Sequence, residues 1–296
     1  MPERLPEPLC KRGSMSGKSF HDMTERIMPD KEMLAKMDRD LRFIPSDPQK
    51  AKALTAEQVE QYNREGYLLP LRRSDAVEAA DLSAYFDGLL ADVHAAGADS
   101  YSIISGHVKH ARIYDIARDE RILRYVRDII GDDIVCWGAH FFCKMPGDGK
   151  AVSWHQDASY WPLTPSKTVT CWLAIDKADS ENACMRFVPG SHREGHIEYR
   201  TSEASENNVL NQTVDDVGRF GQPVDVALEA GEFSLHNDLL LHGSGTNHSA
   251  RRRGGMTLRY AAAEVRSLLN WQGEGVVVSG SDSSGHWGNP PRPEQD

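Results

Sequence analysis

The stretch Val126-Arg127-Asp128-Ile129-Ile130-Gly131-Asp132-Asp133-Ile134-Val135-Cys136-Trp137 decides the fold. Up to Gly131, the residues Ile122, Leu123, Val126, Ile129 and Ile130 recur at helical spacing, and the glycine supplies a stop. Beyond it the period changes, and Ile134 to Met145 reads as a strand. Working outward, Thr55-Ala56-Glu57-Gln58 resembles a capping box that opens a helix ending near Gly66. Ser74 is placed to cap a longer helix with Val77, Phe86, Leu89, Leu90 and Val93 on its apolar side, closing near Gly97. On the other side, Thr168–Ile175, Cys184–Val188, Val224–Leu228, Glu232–Leu235, Leu239–His242 and Met256–Ala262 read as strands between Gly, Pro, Asn and Asp turns. Helices first and many short strands after indicate a mainly β chain, a sandwich or barrel with flanking N-terminal α-helices.

These signals place helices in residues 55–131 and the β core in about 134–280, within one domain over 51–285. Residues 1–50 are polar, with scattered Pro and Gly, and are expected to be disordered or to drape over the core as a lid. The tail, 286–296, follows a Ser-, Gly- and Pro-rich run and is expected to be a loose arm. A net charge of −10 over 296 residues argues against general affinity for nucleic acid or anionic membranes. No run approaches the ~20 apolar residues of a membrane span. The first 20 residues lack the apolar segment of a secretory signal. Cys10, Cys136, Cys143, Cys171 and Cys184 include no C-x-x-C pair and read as reduced thiols, so a cytoplasmic setting is expected, as monomer or homodimer.

The chemistry centres on Trp154-His155-Gln156-Asp157-Ala158-Ser159-Tyr160-Trp161-Pro162. Strand side chains alternate with period two, so His155 and Asp157 share a face. His242 comes 85 residues after Asp157, followed by Gly243-Ser244-Gly245, which suits a ligand at a strand's mouth. Two histidines and a carboxylate form the facial triad of non-haem Fe(II) oxygenases and leave open positions for reactants. The same residue types also suit Mn(II) or Zn(II), and His155 with Asp157 could equally be a surface ion pair. A competing triplet, His236-Asn237-Asp238, lies six residues before His242 at an expected turn, where three ligands from one hairpin converge poorly. Arg251-Arg252-Arg253 reads either as a solvated turn or as a guanidinium fork that grips a dicarboxylate, with Ser244 beside it.

His155-Gln156-Asp157…Tyr160-Trp161-Pro162, the turn Pro189-Gly190-Ser191-His192, and Leu240-Leu241-His242-Gly243-Ser244-Gly245…Arg253 resemble the phytanoyl-CoA dioxygenase family. The resemblance covers about residues 55 to 285. It implies a double-stranded β-helix (a jelly-roll, cupin-like core) and an enzyme using Fe(II), 2-oxoglutarate and O2. It implies His155, Asp157 and His242 as iron ligands. Arg253, eleven residues after His242, then binds the 2-oxoglutarate C5 carboxylate, and Ser244 and Trp172 line the co-substrate pocket. Halogenating relatives replace the carboxylate ligand with Ala or Gly, so Asp157 implies a small-molecule hydroxylase that releases succinate and CO2. The alternatives are a cupin-like metalloenzyme that does not use 2-oxoglutarate, such as an isomerase or another oxygenase, or a non-catalytic binding protein on the same fold.

Other residues carry double readings. Tyr160 and Trp161 are substrate-pocket walls or core aromatics. His140, sharing a strand face with Phe142 and Lys144, looks into the co-substrate pocket or is a satisfied core histidine. His107 and Lys109 are candidate contacts to an acidic substrate, or part of a solvated loop with His110. His192 reads as structural or surface. Gly147-Asp148-Gly149-Lys150 lacks the spacing of a phosphate loop. The substrate itself is not specified by these motifs.

Overall fold

The computed structural model describes residues 26–296. Its larger sheet is antiparallel, in the order β1 (Tyr67–Arg72), β10 (Glu232–Asn237), β5 (Thr168–Ala174), β12 (Arg253–Ala262), β2 (Ile134–Lys144) and β14 (Val276–Ser279). The smaller sheet runs β3 (Val152–His155), β11 (His242–Ser244), β6 (Arg186–Phe187) and β9 (Val224–Asp225). Two short ribbons complete the strands among the described residues: β4 (Leu163–Thr164) with β13 (Arg266–Ser267), and β7 (Arg200–Thr201) with β8 (Gln212–Thr213). Neighbouring strands in the sheets are distant in sequence, as the jelly roll requires.

The middle of the large sheet is covered on both faces, which explains why β5 is buried at every position. Helices α3 (Ala76–Ala95), α4 (Ala111–Ala117) and α5 (Glu120–Ile130) contribute Phe86, Ile113 and Val126 to the same core as β2 and β12. Phe86 stacks on Phe141 at 5.0 Å. Helix α2 (Ala56–Glu65) has the capping box read from Thr55 and Gln58, and ends on Gly66 in the left-handed region at φ 86°. A side chain at Gly66 would also meet His192.

Several expectations change. The N-cap of α3 is Asp75, not Ser74, because Asp75 accepts from the N–H groups of Val77 and Glu78 and Glu78 closes a capping box. Its buried face is Ala79, Leu82, Phe86 and Leu90, and Val77, about half a turn away from Phe86 on the helix, is 78 % exposed. Leu239–Leu241 is a buried turn rather than a strand, and the strand starts at His242. β1 was missed because Pro70 weakens its pattern, and an edge strand tolerates that proline. β14 was missed too.

Residues 1–25 of the polar extension lie outside the described residues. From Arg26 onward the segment lies against the core: Arg39 donates to the carbonyls of Ala158 and Trp161, and Ser46 Oγ to Ile129. A short helix, α1 (Lys31–Ala35), sits in it. The tail is also packed, not loose. Trp287 is buried with Nε1 on the Ala263 carbonyl, and Arg292 pairs with Asp115. Cys136, Cys143, Cys171 and Cys184 are buried and free. Among the described residues no helix is long and apolar enough to cross a membrane.

Candidate metal centre and its two flanking pockets

His155 closes β3 and His242 opens β11, and the two residues are cross-strand partners. Their rings lie 4.1 Å apart. Asp157 is not on the strand. It starts a 3-10 turn, but Gln156 stays extended, so the alternation carries Asp157 to the face of His155. Gln156 points the other way and is held by Gly195 O, Leu239 O and Ile197 N–H. One ligand atom each from His155, Asp157 and His242 lie within 4.8 Å of one another, all buried.

The surroundings prepare these atoms for a metal. His155 Nδ1 sits 2.7 Å from Ser153 O and His242 Nδ1 2.9 Å from Leu240 O. Each Nδ1 therefore carries the proton, leaving the Nε2 lone pair free. Burial lowers both imidazoles below their usual range against the opposing pull of Asp157, so both are neutral at pH 7. Burial alone would raise the Asp157 carboxyl, but His236, His242, Arg259 and His155 outweigh it and hold it well below the usual range. Thr170 Oγ1 donates to Asp157 Oδ2 at 3.0 Å. This ionised carboxylate with two neutral imidazoles is a donor set for a divalent cation such as Fe(II).

On one side of the triad lies a small chamber of about 40 Å3. Arg253, Ser244 and Trp172 all line it, together with Phe142 and Thr257. Of the three adjacent arginines, Arg251 pairs with Asp179 and Glu181, and Arg252 with Asp176 and Asp87. Arg253 alone of the three turns inward, 1 % exposed, with Nη2 on Ser244 Oγ at 3.2 Å and its guanidinium 5.5 Å from the Trp172 ring. A side chain at Gly255 would lie 2.0 Å from that indole, so the glycine makes room for it. Arg253 has no carboxylate partner among the described residues, and Arg253 Nε and Trp172 Nε1 lack hydrogen-bond partners. A buried guanidinium without a counter-ion is costly unless an anion joins it, which fits the distal carboxylate of 2-oxoglutarate. Lys144, opposite Arg253 on β2, is also buried and donates to Gly245 O and Lys150 O. Burial, then Arg253, lowers its ammonium to about 7.

On the other side is a cavity of about 510 Å3 that reaches His155 and Asp157. Tyr160, Trp161 and Lys109 line it, and Trp161 also belongs to the hydrophobic core. His140 also faces this cavity rather than the Arg253 chamber, with its Nδ1 accepting from Arg259 Nη1 at 3.1 Å. His107 does not reach it. It is fully buried with Nε2 2.9 Å from Glu274 O, and burial lowers it to about 4. His192 is buried, with Nε2 3.2 Å from Asn63 O, and packs edge-on against Phe43.

Sequence reasoning missed four residues here. Arg259 sits on the inner face of β12, and Arg26 reaches the cavity from the N-terminal segment, paired with Glu274 at 2.7 Å. Thr170 gave no signal at all. His236 was set aside with its triplet, and that triplet does not converge, since Asp238 bonds Ser166 instead. Yet the His236 imidazole reaches the site, 3.8 Å from Asp157 Oδ2 and 4.9 Å between rings from His242. The period-two alternation of β10 was the available clue.

A jelly roll with two histidines and an aspartate converging at one end defines the class of cupin-like metal-site proteins. Residues 47–255 match the model of the phytanoyl-CoA dioxygenase (PhyH) family, and the chain belongs to that family. The probable alpha-ketoglutarate-dependent hypophosphite dioxygenase of Stutzerimonas stutzeri is 29% identical over 180 residues, 59% of this chain and 63% of that protein. The peroxisomal phytanoyl-CoA dioxygenase of Bos taurus is 29% identical over 173 residues, 53% of this chain and 51% of its own. The matched region thus spans between half and two thirds of those relatives. Among solved structures, the apo form of the non-heme monooxygenase ThoJ is similar, with 26% identity and a TM-score of 0.66 over 80% of this chain and 88% of that one.

Proposed function

We propose that this protein is an Fe(II)- and 2-oxoglutarate-dependent dioxygenase that hydroxylates an unactivated C–H bond of a small molecule, releasing succinate and CO2. The observation that carries the reading is the buried His155–Asp157–His242 cluster beside an inward Arg253 that has no carboxylate partner among the described residues. His155 Nε2, His242 Nε2 and an Asp157 oxygen would hold the iron. Arg253 and Ser244 would bind the C5 carboxylate of 2-oxoglutarate, with Trp172 packed beside them. With O2, the bound iron and 2-oxoglutarate supply the oxidant, one oxygen atom entering succinate and the other the substrate.

The chain's own contribution is positioning. Ser153 and Leu240 carbonyls fix the two imidazoles, and Thr170 fixes the carboxylate. Tyr160 and Trp161, which line the cavity beside the cluster, would keep water from the reacting carbon. Asp157 itself fills the position that a halide takes in halogenating relatives, which supports hydroxylation. The four buried free cysteines suit a cytoplasmic setting. Succinate formation in the presence of Fe(II), measured with and without 2-oxoglutarate across a substrate panel, tests the proposal. It should require 2-oxoglutarate and collapse in Arg253→Ala. Substrate turnover without 2-oxoglutarate overturns it in favour of another cupin-like chemistry.

A further inference from the structure

Resting on that reading, we infer that the primary substrate carries an oxyanion head, a carboxylate or a phosphonate, held by Arg259 and His140, on a compact apolar body. Arg259 lines both the metal chamber and the 510 Å3 cavity. It makes no ion pair with any carboxylate among the described residues, and its Nε is buried without a partner. Its Nη1 is committed to His140, and its guanidinium lies 5.6 Å from the Trp137 ring and 5.4 Å from the Trp161 ring. Two indoles and an imidazole hold the fork rigid while leaving N–H donors unused.

His140 adds a second donor. Burial, reinforced by Arg259, lowers its imidazole well below the usual range, so the ring is neutral. Its Nδ1 accepts from Arg259, so the proton sits on Nε2, which has no hydrogen-bond partner among the described residues. The charge balance of the cavity points the same way. Glu274 is already taken by Arg26 at 2.7 Å and by Ser105 Oγ at 2.8 Å. Asp157 belongs to the metal centre, whereas Lys109 stands at the rim with its ammonium on Ile104 O. The cavity therefore offers net positive charge to its occupant. Apart from Ser105 and the Tyr160 hydroxyl, its remaining walls, among them Ile104, Phe142, Trp161 and Trp271, are apolar, and its volume suits a small molecule. A purely structural role for Arg259, as a cation between two indoles, would leave the polarity of the occupant unselected.

The test uses the full chain loaded anaerobically with Fe(II) and 2-oxoglutarate. Octanoate, octylphosphonate, octanol and octyltrimethylammonium are titrated in while the emission of the cavity tryptophans is followed. At least one of the two anions should bind about tenfold or more tighter than octanol, with the ammonium weakest. Whichever anion wins separates the carboxylate from the phosphonate source. Arg259→Gln should bring the anions to within about twofold of octanol, and Arg259→Lys should restore part of the preference. An anion preference that survives Arg259→Gln in protein with an unchanged melting temperature overturns the inference, as does tightest binding of the ammonium or the alcohol. The loss of the visible iron–2-oxoglutarate band overturns the parent reading instead, and the anion preference is still read from tryptophan emission whether or not that band forms.

Discussion

Arg253 and Arg259 stand six residues apart on one strand, both turned into the barrel, yet their surroundings differ. Arg253 is sealed, 1 % exposed, against Ser244 and Trp172. Arg259 opens on a cavity and shares its fork with His140. Burial lowers both guanidinium groups, and neither has a carboxylate partner among the described residues. A charge held this way costs stability until an anion arrives. The small chamber suits a co-substrate of fixed shape, and the roomier cavity a variable substrate. On the proposed reading, one strand carries both the co-substrate contact and the substrate contact.

The largest effect expected is a separation of constants. Arg253→Gln should raise the KM for 2-oxoglutarate about 100-fold, corresponding to about 3 kcal/mol for a buried charge pair, and leave substrate affinity nearly unchanged. Arg259→Gln should show the opposite pattern, about tenfold on the substrate and little on 2-oxoglutarate. Steady-state kinetics with each reactant varied reads both, and variants that move both constants equally would erase the distinction between the two ends. A smaller effect tests the centre they share. Thr170→Val removes the 3.0 Å hydrogen bond to Asp157 and should weaken Fe(II) about tenfold in an anaerobic metal titration. An unchanged affinity would show that this hydrogen bond is not what orients the carboxylate.

The smallest effect is a pH dependence beside Arg253. Lys144 is held to about 7 in the folded protein, below its ordinary value, by burial and then by Arg253. As pH falls from the ordinary lysine range towards 7, the unfolded chain binds a proton that the folded chain does not, so this group's stability contribution declines across that window and levels off below it. The melting temperature of wild type should therefore fall relative to Lys144→Met over the same range. Parallel curves would mean that Lys144 is charged in the fold.

His155, Asp157 and His242 were legible as a group through the order and spacing of the family's motifs, since residue types and strand periodicity alone left a surface ion pair equally open. Arg253 was legible only through its family spacing from His242, since three adjacent arginines look alike until Arg251 and Arg252 find Asp179 and Asp176. Arg259 was hidden because its meaning lies in the register that sets it beside His140, Trp137 and Trp161. His107 looked like a loop residue because the Asn270–Glu274 turn that buries it lies far away in sequence. Leu239–Leu241 imitated a strand because a turn packed inside the core needs the same apolar residues as a strand. Val77 was misplaced because an apolar residue was assigned to the apolar face, although nine residues of helix set it opposite Phe86.

The most direct test of the central claim is anaerobic addition of Fe(II) and 2-oxoglutarate to the full chain, followed by visible absorption spectroscopy. A metal-to-ligand charge-transfer band that saturates at one iron per chain, vanishes in His242→Ala and needs far more 2-oxoglutarate in Arg253→Gln is the predicted result. Iron binding without such a band, or a band indifferent to both substitutions, would contradict the account.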